Sequence, residues 1–259
     1  MIGIHLSMTN PLSQVVTAAR FSGCETFQIF LRNNRNLRQR KISADEIAEF
    51  NSVLLAAGFK KWVIHAPYVM NPSSPETAKR DKAVKIISED MDFLQQFAGQ
   101  KYYVLHPGSH MGEGVEFGRA MLLDTLKRVN NTTQTKICLE YMSGGGSLML
   151  SSDSEIRAFH ELAKEMNIGY TFDTCHCFAS GHVPATSYKY IKDIVDVVHI
   201  NGSFGMYGYC VDNHSNLHDG HLPFKVNAEF YKQLPKDIPA ILETPLSGAY
   251  QDLQDLLNY

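Results

Sequence analysis

The sequence predicts an α/β fold, a (β/α)8 barrel, from three observations. The chain has 259 residues, and α/β barrels routinely use about 200 to 250 residues as one domain. Eight short apolar runs rich in β-branched and aromatic residues alternate with longer segments of helical periodicity, the pattern of βα units around a parallel sheet. Six of the eight runs carry histidine, aspartate or glutamate at their C-terminal end or one residue before it.

The predicted strands are Ile2 to Leu6, Thr26 to Leu31, Trp62 to His65, Tyr102 to His106, Ile137 to Glu140, Gly169 to Asp173, Val195 to Ile200, and Ala240 to Glu243. Helix starts are written between them. Asn10 precedes Pro11 at a first helical position, and Leu12, Val15, Val16 and Ala19 then share one face. Ser43 and Glu46 form a capping box before Ile47, Phe50 and Val53/Leu54, ending near Gly58. Ser73 with Glu76, and Ser152 with Glu155, repeat the box, and Gly99 reads as a C-terminal cap. No Pro/Ser/Gly-rich stretch separates two halves, so 1–259 is read as one domain. Two loops are long: Tyr141 to Ser151, with Gly144-Gly145-Gly146, and Asn201 to Pro223. Long loops in compact domains are often functional.

Composition removes other classes. At 44% hydrophobic and 20% charged residues, the chain is neither disordered, collagen-like nor coiled coil. It has no low-complexity tract or short-period repeat, which excludes solenoids and propellers. With 24 basic against 27 acidic residues, the net charge of -3 offers no global field to a polyanion, so any nucleic-acid contact must be local. Five cysteines without paired spacing (Cys24, Cys138, Cys175, Cys177, Cys210) imply reduced thiols and an intracellular compartment. Neither a signal peptide nor a membrane span is expected, since no basic stretch leads into an apolar one and no apolar run approaches 18 residues. A cytoplasmic location follows, or a nuclear one in a eukaryote.

The strand ends carry the chemistry. His65, His106, Glu140, Asp173 and Glu243 each close a predicted strand and His199 stands one residue before the end of another, and in a parallel barrel all C-terminal ends open on the face where active sites sit. An unpaired imidazole or carboxylate buried there costs several kcal/mol, by order of magnitude. A metal cation removes that cost. Asp173-Thr174-Cys175-His176 adds a ligand three residues on, and Asp212-Asn213-His214 sets two more on one turn. The nine donors are five histidines, two aspartates and two glutamates, more than one tetrahedral zinc needs. They suit a cluster of two or three ions with a bridging carboxylate, Zn²⁺ or else Mn²⁺ or Fe²⁺ rather than Mg²⁺ or Ca²⁺. Cys175-His176-Cys177 also admits a thiolate site, although one thiol of such a pair tends to point into the core. His110, His182, His218 and His221 hold no strand-end position and are not assigned to metal.

The segments Val104-Leu105-His106-Pro107-Gly108-Ser109-His110, Leu139-Glu140, Phe172-Asp173-Thr174-Cys175-His176-Cys177-Phe178-Ala179-Ser180-Gly181, Val198-His199-Ile200-Asn201, Asp212-Asn213-His214 and Ile241-Leu242-Glu243-Thr244 resemble, in order, the motifs of the endonuclease IV family of apurinic/apyrimidinic endonucleases. The resemblance implies a TIM-type barrel holding three Zn²⁺ ions, with Mn²⁺ an alternative at one site. It implies a DNA repair hydrolase that cuts the phosphodiester 5′ to an abasic site, leaving a 3′-hydroxyl and a 5′ deoxyribose phosphate, with 3′-end trimming beside it. Carried over by position, His65 and His106 hold one zinc, and Glu140 bridges it to a second completed by Asp173, His199 and Glu243. His176, Asp212 and His214 hold the third. Glu140 and Glu243 are the candidates for orienting the nucleophile.

The expected partner is duplex DNA containing abasic sites, bound by a monomer. Arg32, Arg35, Arg38, Arg40 and Lys41 follow the second strand with no acid among them, interleaved with Asn33, Asn34 and Asn36. That loop leaves the barrel on the metal face, which makes Arg32, Asn33 and Arg35 candidate DNA contacts. By the resemblance, Arg35 and Tyr68-Val69 enter the duplex at the lesion and offset the stacking lost by an extruded nucleotide. The chain departs from the family where Asn213 stands in place of a common arginine and Leu217-His218-Asp219-Gly220 replaces a Leu-Gly-x-Gly run. His218 is a candidate substitute for a phosphate contact there. A metal-dependent sugar isomerase of the xylose isomerase-like group is the alternative reading and needs only Glu140, Asp173, His199 and Glu243. A non-catalytic metal-binding barrel is a third.

Overall fold

Each of the eight apolar runs forms a strand, as β-branched and aromatic side chains suit a pleated, buried surface. In the computed structural model, which describes residues 1–8, 11–129, 131 and 133–259, the strands are β1 (Ile2–Leu6), β2 (Gln28–Phe30), β3 (Lys61–His65), β4 (Gln100–Leu105), β5 (Lys136–Glu140), β6 (Ile168–Asp173), β7 (Val195–His199), β8 (Gly202–Ser203), β9 (His214–Ser215) and β10 (Ala240–Leu242). They alternate with α1 (Ser13–Phe21), α2 (Ala44–Ala56), α3 (Thr77–Leu94), α4 (Val115–Arg128), α5 (Asp153–Ala163), α6 (Thr174–Ala179), α7 (Pro184–Ile191), α8 (Phe224–Lys232) and α9 (Leu246–Asn258). All strands but β8 and β9 close into one parallel barrel in the order β1-β10-β7-β6-β5-β4-β3-β2. The expected (β/α)8 barrel is the fold of this chain. His106 and Glu243 lie one residue beyond β4 and β10 rather than within them.

Two apolar layers hold the barrel. Trp62, Ile64, Tyr103, Leu105, Leu139 and Leu242 face outward into a core shared with the helices. Trp62 is packed by Phe27, Phe50 and Phe97 and donates from Nε1 to the Ala98 carbonyl at 3.0 Å. Val63, Tyr102, Val104, Cys138, Val197 and Ile241 form a separate cluster. They come from β3, β4, β5, β7 and β10, on opposite sides of the barrel, so they touch only across its interior.

The helix starts follow the sequence in part. Ser43 caps α2 and Ser152 caps α5, each accepting from the main-chain N–H three residues on, at 3.2 Å. The Ser73–Glu76 box does not form: Ser73 is buried and donates to the Pro107 carbonyl, and α3 starts at Thr77 with Glu76 as its flanking residue. Gly99 does not cap α3, which ends five residues earlier. It takes φ +78° at the entry to β4, where a Cβ would press on the Lys60 carbonyl and Trp62 at 3.3 Å. α1 starts at Ser13, two residues after Pro11, so the proline lies in the preceding turn and not at the first helical position. Asn10 lies outside the described residues. Among the described residues no helix is long and apolar enough to cross a membrane. The five cysteines are free thiols, all buried but Cys210.

The long loops pack on each other over the C-terminal mouth. β8 and β9 pair antiparallel, Ser203 opposite His214, a hairpin the sequence had not shown. Gly145, at φ +88°, lets the other loop close on Cys210, whose Cβ a side chain at 145 would meet at 2.9 Å.

Candidate metal centre

Strand alternation delivers the donors to one place. Side chains i and i+2 on a strand share a face, and His65, His106, Glu140, His199 and Glu243 each lie two residues beyond a member of the interior cluster. They therefore point inward, above the apolar plug. Asp173 is in register with His199 on the neighbouring strand. The other three donors arrive by loops. Asp173 caps α6, its Oδ1 accepting from the His176 N–H at 2.7 Å, and this tight turn brings His176 back over the mouth. The β8–β9 hairpin carries Asp212 and His214 to it.

Glu140 lies at the centre. Its Oε2 is 3.2 Å from His65 Nε2 and 3.1 Å from His106 Nε2, and its Oε1 is 3.1 Å from His199 Nδ1 and 3.4 Å from His176 Nδ1. Glu243 Oε2 is 3.0 Å from His199 Nδ1. Asp212 Oδ1 is 3.1 Å from His176 Nε2 and 3.4 Å from His214 Nε2. Donor atoms within 4.8 Å of one another form the groups His65–His106–Glu140, Glu140–Asp173–His199–Glu243 and His176–Asp212–His214, with Cys175 beside Asp173 and His214. Burial pushes the Cys175 thiol up to about 12, which keeps it neutral, and the Cys177 thiol faces Ser187 and Tyr141 instead.

Burial by itself would raise the Glu140 and Glu243 carboxyls, yet the surrounding imidazoles hold both well below the usual carboxylate range. Burial would lower His199, but Glu243 and Glu140 outweigh it and push the imidazole up to about 10. His176 is raised well above its usual value against the same burial, by Asp173 and Asp212.

This donor set fits divalent zinc. Nε2 of His176 and of His214 are buried without a hydrogen bond, both aimed at one carboxylate oxygen, and mixed imidazole and carboxylate donors are the ligands zinc takes. The far ring nitrogens are anchored: His65 Nδ1 at 2.7 Å from the Ala66 carbonyl, His176 Nδ1 at 2.9 Å from the Tyr141 carbonyl, and His199 Nε2 at 3.0 Å from Gln28 Oε1. Such contacts fix the tautomer of a ligating imidazole. Gln28, together with His5 and Asn201, is a contributor the sequence reading missed. Asn201 donates to Asp173 Oδ2 at 2.7 Å and accepts from the Glu243 N–H at 2.8 Å. His5 and Gln28 sit opposite each other in register on β1 and β2, and a polar residue at an inward strand position was the available signal.

The DNA-contact candidates divide. Tyr68 and Val69 are about half exposed at the rim, and the Tyr68 ring stacks on His106 with centroids 5.0 Å apart. Tyr68, His106, His176, Asp212 and Glu243 line a cavity of about 450 Å³. Arg35 stands exposed in the β2 loop, beside a cavity of about 690 Å³ that Arg38 and Arg40 also line. Asn33 is exposed, but its Oδ1 accepts from the Arg35 and Asn36 N–H groups, shaping the turn that presents Arg35. Arg32 is a correction. Its side chain is buried, with Nε 2.6 Å from Asp90 and Nη2 3.0 Å from Glu89 on α3, so its charge is spent inside the protein. Asp90→Ala, which removes the buried partner of that guanidinium and leaves it only the half-exposed Glu89, is expected to destabilise the fold by up to about 3–5 kcal/mol, measured by denaturant melts. A change below about 1 kcal/mol would contradict this internal role. His218 is about half exposed, 2.9 Å from Asp255 and stacked on Phe224.

A profile of the family described as xylose isomerase-like TIM barrel matches residues 16–258. A relative from Finegoldia magna named "Probable endonuclease 4" is 34% identical, over 98% of this chain and 95% of its own length. The crystal structure of endonuclease IV from Thermus thermophilus superposes with TM-score 0.86 at 26% identity, covering 99% of this chain and 97% of that one. The 3-keto-D-glucoside 4-epimerase of E. coli superposes with TM-score 0.75 at 16% identity over 100% and 99% of the two chains, a likeness of fold alone. Matched along nearly its whole length by the family profile and by such a relative, the chain belongs to the endonuclease IV family of xylose isomerase-like TIM barrels.

Proposed function

We propose that this chain is a zinc-dependent apurinic/apyrimidinic endonuclease of DNA repair, hydrolysing the phosphodiester 5′ to an abasic site to leave a 3′-hydroxyl and a 5′ deoxyribose phosphate. The observation that carries this reading is the resolution of nine donors into three groups, two of them sharing Glu140. One ion, as in a sugar isomerase, would leave His65, His106, His176, Asp212 and His214 without a purpose. His65, His106 and Glu140 would hold the first zinc, Glu140, Asp173, His199 and Glu243 the second, and His176, Asp212 and His214 the third, with Mn²⁺ an alternative occupant at one of them.

Bound zinc supplies positive charge for the phosphoryl oxygens and lowers the pKa of water towards about 7. One of the two glutamates, Glu140 or Glu243, orients the attacking water. The Tyr68 ring, stacked on His106, walls the pocket, and Tyr68 with Val69 and Arg35 enters the duplex where the base is missing. Asn33 acts through the turn that presents Arg35. The same centre trims blocked 3′ ends. Residues 1–259 act as one domain and one monomer, in the cytoplasm or a nucleus.

Incision of a duplex carrying one tetrahydrofuran abasic analogue tests the reading. A single cut on its 5′ side, lost with chelator and restored by Zn²⁺, is expected together with about three zinc per chain. Absence of cutting in fully loaded protein, or about one ion with sugar isomerase activity, overturns it. Arg35→Ala is expected to weaken binding to that duplex roughly tenfold, about 1.4 kcal/mol, with zinc content unchanged. Loss of zinc in this variant would count against a role in DNA contact.

A further inference from the structure

Gln28 is wholly buried on β2, one of the two barrel strands that supply none of the nine donors. Its amide lies directly behind two of them. Oε1 is 3.0 Å from His199 Nε2. Nε2 contacts Glu243 Oε1 and is 2.9 Å from His5 Nδ1.

Proton accounting leaves one arrangement. An amide oxygen only accepts, so His199 carries its proton on Nε2. The amide nitrogen has two N–H groups, one for Glu243 and one for His5, whose Nδ1 therefore accepts. Turned by half a rotation, the amide would set its oxygen against the Glu243 carboxylate, two acceptors with no proton between them. The histidines His65 and His176 have their far nitrogens fixed by main-chain carbonyls; for His199 a side chain does this.

We propose that Gln28 is the positioning residue of the Glu140–Asp173–His199–Glu243 group. By holding the Nε2–H of His199, it leaves the Nδ1 lone pair facing Glu140 and Glu243 as the ligating atom. By gripping Glu243 Oε1, it turns the other carboxylate oxygen, which lies 3.0 Å from His199 Nδ1, towards the same point. One amide thus sets two ligands that arrive from separate strands, β7 and the end of β10. The inference rests on reading the cluster as a zinc centre.

Competition titration of the metal-free full chain with Zn²⁺ against a chromophoric chelator gives stepwise affinities, and ¹⁵N spectra of the histidine rings report their tautomers. The unaltered chain is expected to take up about three ions and, once loaded with Zn²⁺, to show a His199 ring protonated on Nε2 alone. Gln28→Met, of similar length but without hydrogen bonds, should weaken one ion by about 10- to 100-fold, leave two unaltered and lose that tautomer. Gln28→Glu keeps an acceptor for His199 but sets a carboxylate against Glu243, so it should retain the tautomer and still weaken the same ion. Unchanged affinities in Gln28→Met, with only the melting temperature of the metal-free chain lowered, would overturn the proposal in favour of simple packing. If Gln28→Met does not fold, unchanged affinities in Gln28→Glu overturn it equally. Uptake of a single ion by the unaltered chain would defeat the three-zinc reading, yet weakening of that ion by the Gln28 variants would uphold this one. A chain that binds no zinc defeats both.

Discussion

Glu140→Gln is expected to cut incision at an abasic site by about 10³-fold, the upper scale for losing one main electrostatic contact in a transition state, while binding of the damaged duplex stays largely intact. The reason is local. Four imidazoles lie within 3.4 Å of the two Glu140 oxygens, and two donor groups share the residue. Glutamine keeps the volume, but it removes the charge and turns an N–H donor towards ring nitrogens that must present lone pairs to metal. Zinc content should fall by at least one ion per chain. Arg35 and Tyr68 stand at the rim and are untouched by the change, so the DNA contacts proposed for them should persist. Glu243→Gln, which disturbs one group, is expected to lose activity by the same route. Single-turnover incision with metal analysis measures both, and turnover near that of the unaltered chain would sink the bridging role of Glu140.

Zinc uptake is expected to release protons and to strengthen steeply with pH. In the metal-free protein burial opposes charge on His199 and His176, but neighbouring carboxylates outweigh it, raising His199 to about 10 and His176 well above its usual value. His199 is therefore protonated at pH 7 without metal and must lose a proton to ligate, and the upward shift of His176 acts in the same direction. The ion held by His199 should gain about tenfold in apparent affinity per pH unit, so about 100-fold between pH 6 and pH 8. Calorimetry in buffers of different ionisation enthalpy should count at least one proton released at pH 7, and uptake without proton release would contradict the charged cluster. The same groups set a stability window for the metal-free chain. Carboxyls held low at Glu140 and Glu243 stabilise the fold above their ordinary value of 4.5 and lose that contribution as pH falls. The raised His199 contributes fully below 6.5 and ceases to do so as pH rises through about 10.

Much of the fold was legible because strand signals are local. Runs of valine, isoleucine and aromatic residues between capped helices need no distant partner to be read, and all eight are strands. Ser43 and Ser152 cap as expected because nothing competes for their hydroxyls from afar. Ser73 fails because a carbonyl 34 residues away takes its hydroxyl. Arg32 was misread for the same kind of reason: as one of five bases in a loop it looks free, but Asp90, 58 residues on, draws it into the interior.

The sequence by itself determined the barrel, the family motifs and the nine donor identities, since these depend on residue type, alternation and order along the chain. Only the tertiary structure decided which donors share an oxygen, which basic side chains of the β2 loop stay exposed, and that Gln28 stands behind His199 and Glu243. Those are distances between residues brought together from separate strands by barrel closure. A hydrogen bond or ion pair acts over about 3 Å, a scale on which neighbours in the chain and neighbours in space are different sets.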